Sequence, residues 1–187
     1  SLFARPGQRP FLLDHPLNHS LKIACTSLNL PPFSGQPEWR PQLSNFLPAE
    51  QIKGLVGQVV GTSDWLEITQ ERVNKFAEAT SDFQFIHVDP EKAKLTPFGG
   101  PIAHGFLTLS LIPFLTAKSD CPRPEGIKMG VNYGGNRTRF LAPVRVGKRV
   151  RGHFKLLEME EKRPGQWQQT MEITIEIEGE SKPALTC

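Results

Sequence analysis

Ile102-Ala103-His104-Gly105-Phe106-Leu107-Thr108-Leu109-Ser110-Leu111-Ile112-Pro113-Phe114-Leu115 is the most apolar run in the chain, nine of its fourteen residues being Ile, Ala, Phe or Leu. Wound as a helix, it is apolar on nearly every face. Such a helix has to be enclosed by other elements rather than laid on a surface. Thr108, Ser110 and Pro113 interrupt the run, and no stretch of the chain approaches the roughly 18–20 apolar residues that span a bilayer. The run predicts a buried helix and no membrane partner.

The enclosing elements lie downstream. Met129, Val131 and Tyr133 alternate with smaller or polar residues. Val144, Val146, Lys148, Val150, Gly152 and Phe154 form an alternating set with one polar exception, and Met171, Ile173, Ile175 and Ile177 alternate with Glu172, Thr174 and Glu176. A period of two is the mark of a strand with one buried face. Lys162-Arg163-Pro164-Gly165 reads as the turn between the last two strands. Long antiparallel strands around one buried helix give an α+β domain. Upstream, Thr69 is placed to cap a helix over residues 70–80, where Val73, Phe76, Ala77 and Thr80 share a face. Residues 81–90 read as a non-helical loop. Asp89-Pro90 then starts a short helix to Leu95. Ala49, Ile52, Leu55 and Val56 have helical spacing, and residues 59–68 read as extended, with Trp65 as a large apolar anchor.

The N-terminal part is different. Of 17 prolines, eight fall within residues 1–48, and residues 1–42 show no sustained period. We divide the chain into an irregular, proline-rich extension over residues 1–45 and a body over residues 46–187. A secretory signal is not expected, because Asp14 breaks Phe11-Leu12-Leu13 before an apolar region can form. Three widely spaced cysteines, Cys25, Cys121 and Cys187, without a CxxC pair, suit neither a disulfide framework nor a zinc site. They point to a reducing, cytoplasmic setting. The net charge is +3, and basic residues gather at Arg137, Arg139, Arg145, Lys148, Arg149 and Arg151. Two readings are open: a solvated strand face, or a rim for a phosphate-bearing ligand. Nucleic acid is not an expected partner, because no aromatic-basic repeat accompanies these charges.

Two polar groups interrupt apolar surroundings. Asp82 and His87 are five residues apart, among Phe83, Phe85, Ile86 and Val88; His104-Gly105 opens the apolar run. An acid and an imidazole in an apolar-walled loop can share one water, one removing a proton and the other supplying one. Gly105 in a first helical turn presents a backbone N–H without an intrahelical partner, and its missing side chain lets a carbonyl approach. Each group also has a structural reading. Asp82 can brace a turn, His87 can be a satisfied half-buried histidine, and His104 can bond loop backbone and orient the glycine turn. A metal site from His87, Asp89 and His104 uses ordinary ligands, but no HxH or HExxH spacing supports it, and we expect none.

The segment Ser81-Asp82-Phe83-Gln84-Phe85-Ile86-His87-Val88-Asp89-Pro90, with Phe98-Gly99-Gly100-Pro101-Ile102-Ala103-His104-Gly105-Phe106-Leu107, resembles the MaoC-like, or R-specific enoyl-CoA hydratase, family, and within it the nodulation-protein-N-like branch. Arg139-Phe140-Leu141-Ala142-Pro143-Val144-Arg145-Val146-Gly147 is similar to that family's F-x-x-P-V-x-x-G strand signature. The resemblance covers about residues 46–185. It implies a hot-dog fold, a curved antiparallel sheet around a long central helix, in a homodimer. It also implies hydration of trans-2-enoyl-CoA to (3R)-3-hydroxyacyl-CoA without a cofactor. Asp82 and His87 would hold the catalytic water and Gly105 N–H the thioester oxygen. His104, Gln84 and Ser110 would orient groups around them, although Ser110 can equally bond back to its preceding turn. Two departures stand out. Gln84 and Phe85 occupy places where the commoner family loop has Asn-Pro, and family members usually carry a further strand beyond the position of Cys187.

Competing functions are a hot-dog acyl-CoA thioesterase and a non-catalytic acyl-thioester-binding subunit. The fold alone does not choose among them.

Overall fold

A computed structural model describes residues 21–26 and 45–187. In chain order the elements are β1 (Leu21–Thr26), β2 (Phe46–Leu47), α1 (Ala49–Lys53), β3 (Val59–Thr62), β4 (Leu66–Glu67), α2 (Gln70–Thr80), α3 (Phe85–Val88) and α4 (Pro90–Lys94). There follow α5 (Gly105–Ser110), α6 (Ile112–Ala117), β5 (Arg123–Pro124), β6 (Met129–Gly135), β7 (Arg139–Phe140), β8 (Arg149–Arg163), β9 (Gln166–Ile177) and β10 (Leu185–Thr186). The main sheet runs β3-β8-β9-β1-β6, with β4 beside β8 and β10 beside both β9 and β7; β2 and β5 form a separate parallel pair. The architecture is α+β, as the alternation predicts.

Strands β8 and β9 supply the wall. Val150, Phe154, Leu156, Ile173, Ile175 and Ile177 are fully buried, while Glu172 and Glu176 point outward. The register pairs Phe154 with Ile173 and Gly152 with Ile175. Burying each large side chain contributes about 1.5–3 kcal/mol, so this hairpin holds much of the core. Its turn rests on Gly165, whose φ of 74° suits a residue without a side chain. The strand starts later than its alternation suggests. Gly147 (φ 87°) turns the chain, with Lys148 N–H donating to Arg145 O at 3.1 Å, and β8 begins only at Arg149.

The apolar run is a helix that begins at Gly105 rather than Ile102. Ile102 bridges Arg145 in extended form, and Ala103 N–H donates to Val144 O at 2.8 Å. Pro113 has no N–H for the carbonyl of Leu109, and the helix is interrupted at Leu111 between α5 and α6. It is enclosed on one side only. Leu107, Leu111, Ile112 and Leu115 are buried against the sheet, whereas Phe106, Ser110 and Pro113 are exposed. The sheet curves around one face and leaves the other open. No helix among the described residues is long and apolar enough to cross a membrane.

Three further expectations need correction. Residues 81–90 are not wholly a loop, because Phe85–Val88 closes one helical turn, with His87 N–H on Gln84 O at 2.9 Å and Asp89 N–H on Phe85 O at 3.0 Å. Trp65 is no core anchor: it is half-buried, with the guanidinium of Arg151 4.4 Å from its ring centroid, a cation–π contact. Within residues 1–42, Leu21–Thr26 forms a strand, antiparallel to both β9 and β6. Leu21, Ile23 and Cys25 alternate with Lys22, Ala24 and Thr26, a period of two too short to stand out beside so many prolines. The rest of the expected extension, apart from Asn45, lies outside the described residues.

Candidate active site

The site forms where the end of α2, the turn after it and the start of α5 meet. Ser81 ends α2 in the left-handed conformation (φ 59°), which turns the chain toward α5. The Asp82 carboxylate then accepts Gln84 N–H at 3.4 Å, a turn-bracing contact. The one-turn helix α3 carries His87 inward, leaving it 7% exposed. His104 immediately precedes α5 and is 3% exposed.

The two imidazoles stack, with ring centroids 3.8 Å apart and planes 28° from parallel. Their hydrogen bonds differ. His87 Nδ1 lies 2.7 Å from Ile102 O; a carbonyl only accepts, so Nδ1 carries the proton and Nε2 holds a lone pair. His104 Nε2 lies 3.0 Å from Asp82 O, so there Nε2 carries the proton. His104 Nδ1 is buried and has no hydrogen-bond partner among the described residues. Burial pushes the His87 pKa below its ordinary value. The Ile102 carbonyl opposes that shift, His104 adds to it, and Asp82 opposes it weakly. His87 is therefore a neutral imidazole with an unprotonated Nε2 at neutral pH.

Asp82, His87 and His104 each bring one ligand-type atom within 4.8 Å of the others. These are the residues that could hold a metal. Asp89, the third member of the trio weighed and set aside from the sequence, is engaged elsewhere, accepting Lys92 N–H at 3.1 Å as the cap of α4 and pairing with Lys92 Nζ at 3.0 Å.

A cavity of about 460 Å³ opens beside the pair, its wall including His87, Ile102, Gly105, Thr108, Phe140 and Val144. Among the described residues that wall is almost wholly apolar, with His87 as its one titratable side chain. Gly105 has a specific reason to lack a side chain: a Cβ there would lie 2.9 Å from the Phe140 ring. The other site candidates fall differently. Gln84 is exposed and contributes through its backbone. Ser110 is exposed and returns its hydroxyl to Phe106 O at 2.7 Å. Thr108, which the sequence marks only as a break in the apolar run, is buried in the cavity wall. The signal available was its spacing, four residues after His104 and so on the same helical face.

Residues 51–179 match the family described as MaoC like domain. The chain is 47% identical over 142 residues to 3-hydroxyacyl-thioester dehydratase Z of Mycobacterium tuberculosis, a match covering 76% of this chain and 93% of that protein. It is 49% identical over 136 residues to nodulation protein N of Rhizobium meliloti, covering 72% of this chain and 84% of that one. Among solved structures, an (R)-hydratase from A. caviae involved in PHA biosynthesis aligns with a TM-score of 0.54 at 28% identity, covering 70% of this chain and 90% of that one. With the sheet and helix described above, these likenesses establish the hot-dog fold.

Proposed function

The chain belongs to the MaoC-like dehydratase family, and from that premise we propose that it catalyses (R)-specific hydration of trans-2-enoyl-CoA to (3R)-3-hydroxyacyl-CoA, or the reverse dehydration. One observation carries the reading: a neutral His87 and the Asp82 carboxylate stand together beside an apolar cavity whose wall includes Gly105. Apolar walls suit an acyl chain, and a water gripped by the pair meets its β-carbon.

The steps balance. Water oxygen bonds to C3 while its proton passes to His87 Nε2. The π electrons move toward the thioester oxygen, where Gly105 N–H donates a hydrogen bond to the developing enolate. The enolate then takes a proton at C2 from His87 Nε2, on the same face. Asp82 accepts the second O–H of the water, and its negative charge favours the transient imidazolium. Proton transfer and hydrogen bonding complete the reaction, so the reading calls for neither metal nor redox cofactor.

The same reading makes the protein a cytoplasmic homodimer. Its support is the large apolar side chains left exposed, Phe106 on α5 at 66% and Tyr133 on β6 at 67%. Sedimentation equilibrium tests the dimer; a monomer at micromolar concentration would remove it.

The catalytic test follows loss of the enoyl-thioester absorbance with crotonyl-CoA and longer enoyl-CoAs, with chiral analysis of the product. Turnover to the (3R) product that is lost in Asp82→Asn and His87→Ala is the expected result. Full activity in both variants would remove the assigned mechanism. Release of free thiol would make the protein a thioesterase, and saturable binding without turnover would make it an accessory subunit.

A further inference from the structure

We propose that Arg145, with Arg139, receives the phosphate-bearing end of the thioester carrier and thereby selects coenzyme A esters over uncharged thioesters. This rests on the acyl-thioester reading of the cavity and adds to it a recognition site for the anionic end.

The basic cluster seen in the sequence divides into two groups in the fold. Lys148 pairs with Glu180 at 3.2 Å, Arg151 with Glu176 at 2.7 Å, and Arg149 forms a two-pronged ion pair with Glu178. These cations are neutralised on the outer face of the β8–β9 hairpin. Arg145 and Arg139 have no carboxylate within ion-pair distance among the described residues, and Arg139 bonds only the carbonyl of Thr138, at 3.1 Å. Both are exposed.

Their placement is specific. Phe140 to Val144 line the cavity, and Arg139 and Arg145 flank that segment at its two ends. The Arg145 backbone is held there by its bridge to Ile102 and by Val146 N–H on Pro101 O at 3.0 Å. Its guanidinium lies over Gly99, where a Cβ would come within 3.1 Å of Nη2. Gly99 (φ 68°) directly follows Phe98, another wall residue. A glycine at this turn gives the guanidinium room beside the cavity.

An acyl chain can enter an apolar cavity, but the phosphates of its carrier cannot. They stay in solvent at the rim, where an unpaired guanidinium offers a planar, permanently charged fork for a phosphate. Exposed contacts of this kind are modest and salt-dependent, so each arginine is expected to change affinity by about two- to fivefold.

The experiment measures binding of butyryl-CoA, which is saturated and cannot be hydrated, and of butyryl-pantetheine, which lacks the phosphates. It compares the wild type with Arg145→Ala, Arg145→Lys, Arg139→Ala and, as a control, Arg151→Ala. Expected is about two- to fivefold weaker binding of butyryl-CoA in each of Arg145→Ala and Arg139→Ala. Binding of butyryl-pantetheine should be unchanged, Arg145→Lys should recover part of the loss, and Arg151→Ala should show none. In turnover, the CoA ester should show the loss in KM and keep kcat, with the difference shrinking as salt is raised. Equal losses on both ligands, or none on either, would overturn the assignment. Failure of the hydratase reading looks different: no turnover of any enoyl-CoA, while arginine-dependent binding of butyryl-CoA persists.

Discussion

His87, on the turn after α2, and His104, at the mouth of α5, are a matched pair with opposite assignments. Both are buried, they stack at 3.8 Å, and each gives one ring nitrogen to a backbone carbonyl. The carbonyl that each meets decides its chemistry. Ile102 O takes Nδ1–H of His87 and leaves Nε2 unprotonated, as the proposed role of base requires. Asp82 O takes Nε2–H of His104 and leaves a buried Nδ1 with no partner among the described residues, so His104 holds the backbone of Asp82 while its ring stacks on His87. Under the proposed mechanism, two buried histidines thus divide into a proton carrier and a brace.

The largest effect that separates them is catalytic. Removing the base in His87→Ala, or the charge in Asp82→Asn, should lower kcat about 10²–10⁴-fold, the usual contribution of a positioned acid–base group, while the folded state persists by circular dichroism. His104→Ala should cost less, on the order of tenfold, because the base stays and only its support is lost. A loss in His104→Ala as deep as in His87→Ala would erase the distinction between the two roles.

The next effect is in pH. Desolvation holds the His87 pKa below the ordinary value of about 6.5. The acidic limb of kcat/KM should therefore lie below that value, because the base stays deprotonated to lower pH. His104 adds to the depression, so His104→Ala should move the limb upward. Stability follows the same sign. With the folded pKa below the unfolded one, the unfolded chain binds more protons between the two values, so His87 destabilises the fold as pH falls through that window. Denaturant titrations should show this pH dependence diminished in His87→Gln. A limb at or above the ordinary histidine value would contradict the buried, neutral base.

The comparison also shows what sequence can and cannot disclose. The β8–β9 wall was legible because a two-residue period reports directly which face is buried, and Met171, Ile173, Ile175 and Ile177 lie inward as that period requires. That Asp82 and His87 come together was legible because both are polar in an apolar stretch, and one ligand-type atom of each lies within 4.8 Å of the other. The one-turn helix α3 was not, since four residues are too few to show a period. The tautomers were not legible either: each depends on a carbonyl distant in sequence, Ile102 for His87 and Asp82 for His104. The helix of residues 102–115 read as enclosed on all sides because hydropathy reports what a side chain prefers. The sheet wraps only one face, and Phe106 is left in the open.

The smallest effect tests the same distinction within α5. The sequence supports Ser110 both as a site residue and as a hydroxyl bonded to its own helix, and marks Thr108 only as a break in the apolar run. In the fold Ser110 is exposed with its hydroxyl on Phe106 O, and Thr108 lies in the cavity wall, 2% exposed, with its hydroxyl 3.5 Å from His104 O. An exposed serine bonded to its preceding turn adds little to a helix. Ser110→Ala should therefore leave kcat/KM within about twofold and stability within about 0.5 kcal/mol. Thr108→Val keeps the shape and removes one weak hydroxyl contact beneath His104, so it should cost about 1 kcal/mol of stability and act on kcat through the imidazole stack. If Ser110→Ala proved the more damaging of the two, the working face of α5 would be the open one rather than the face turned to the cavity.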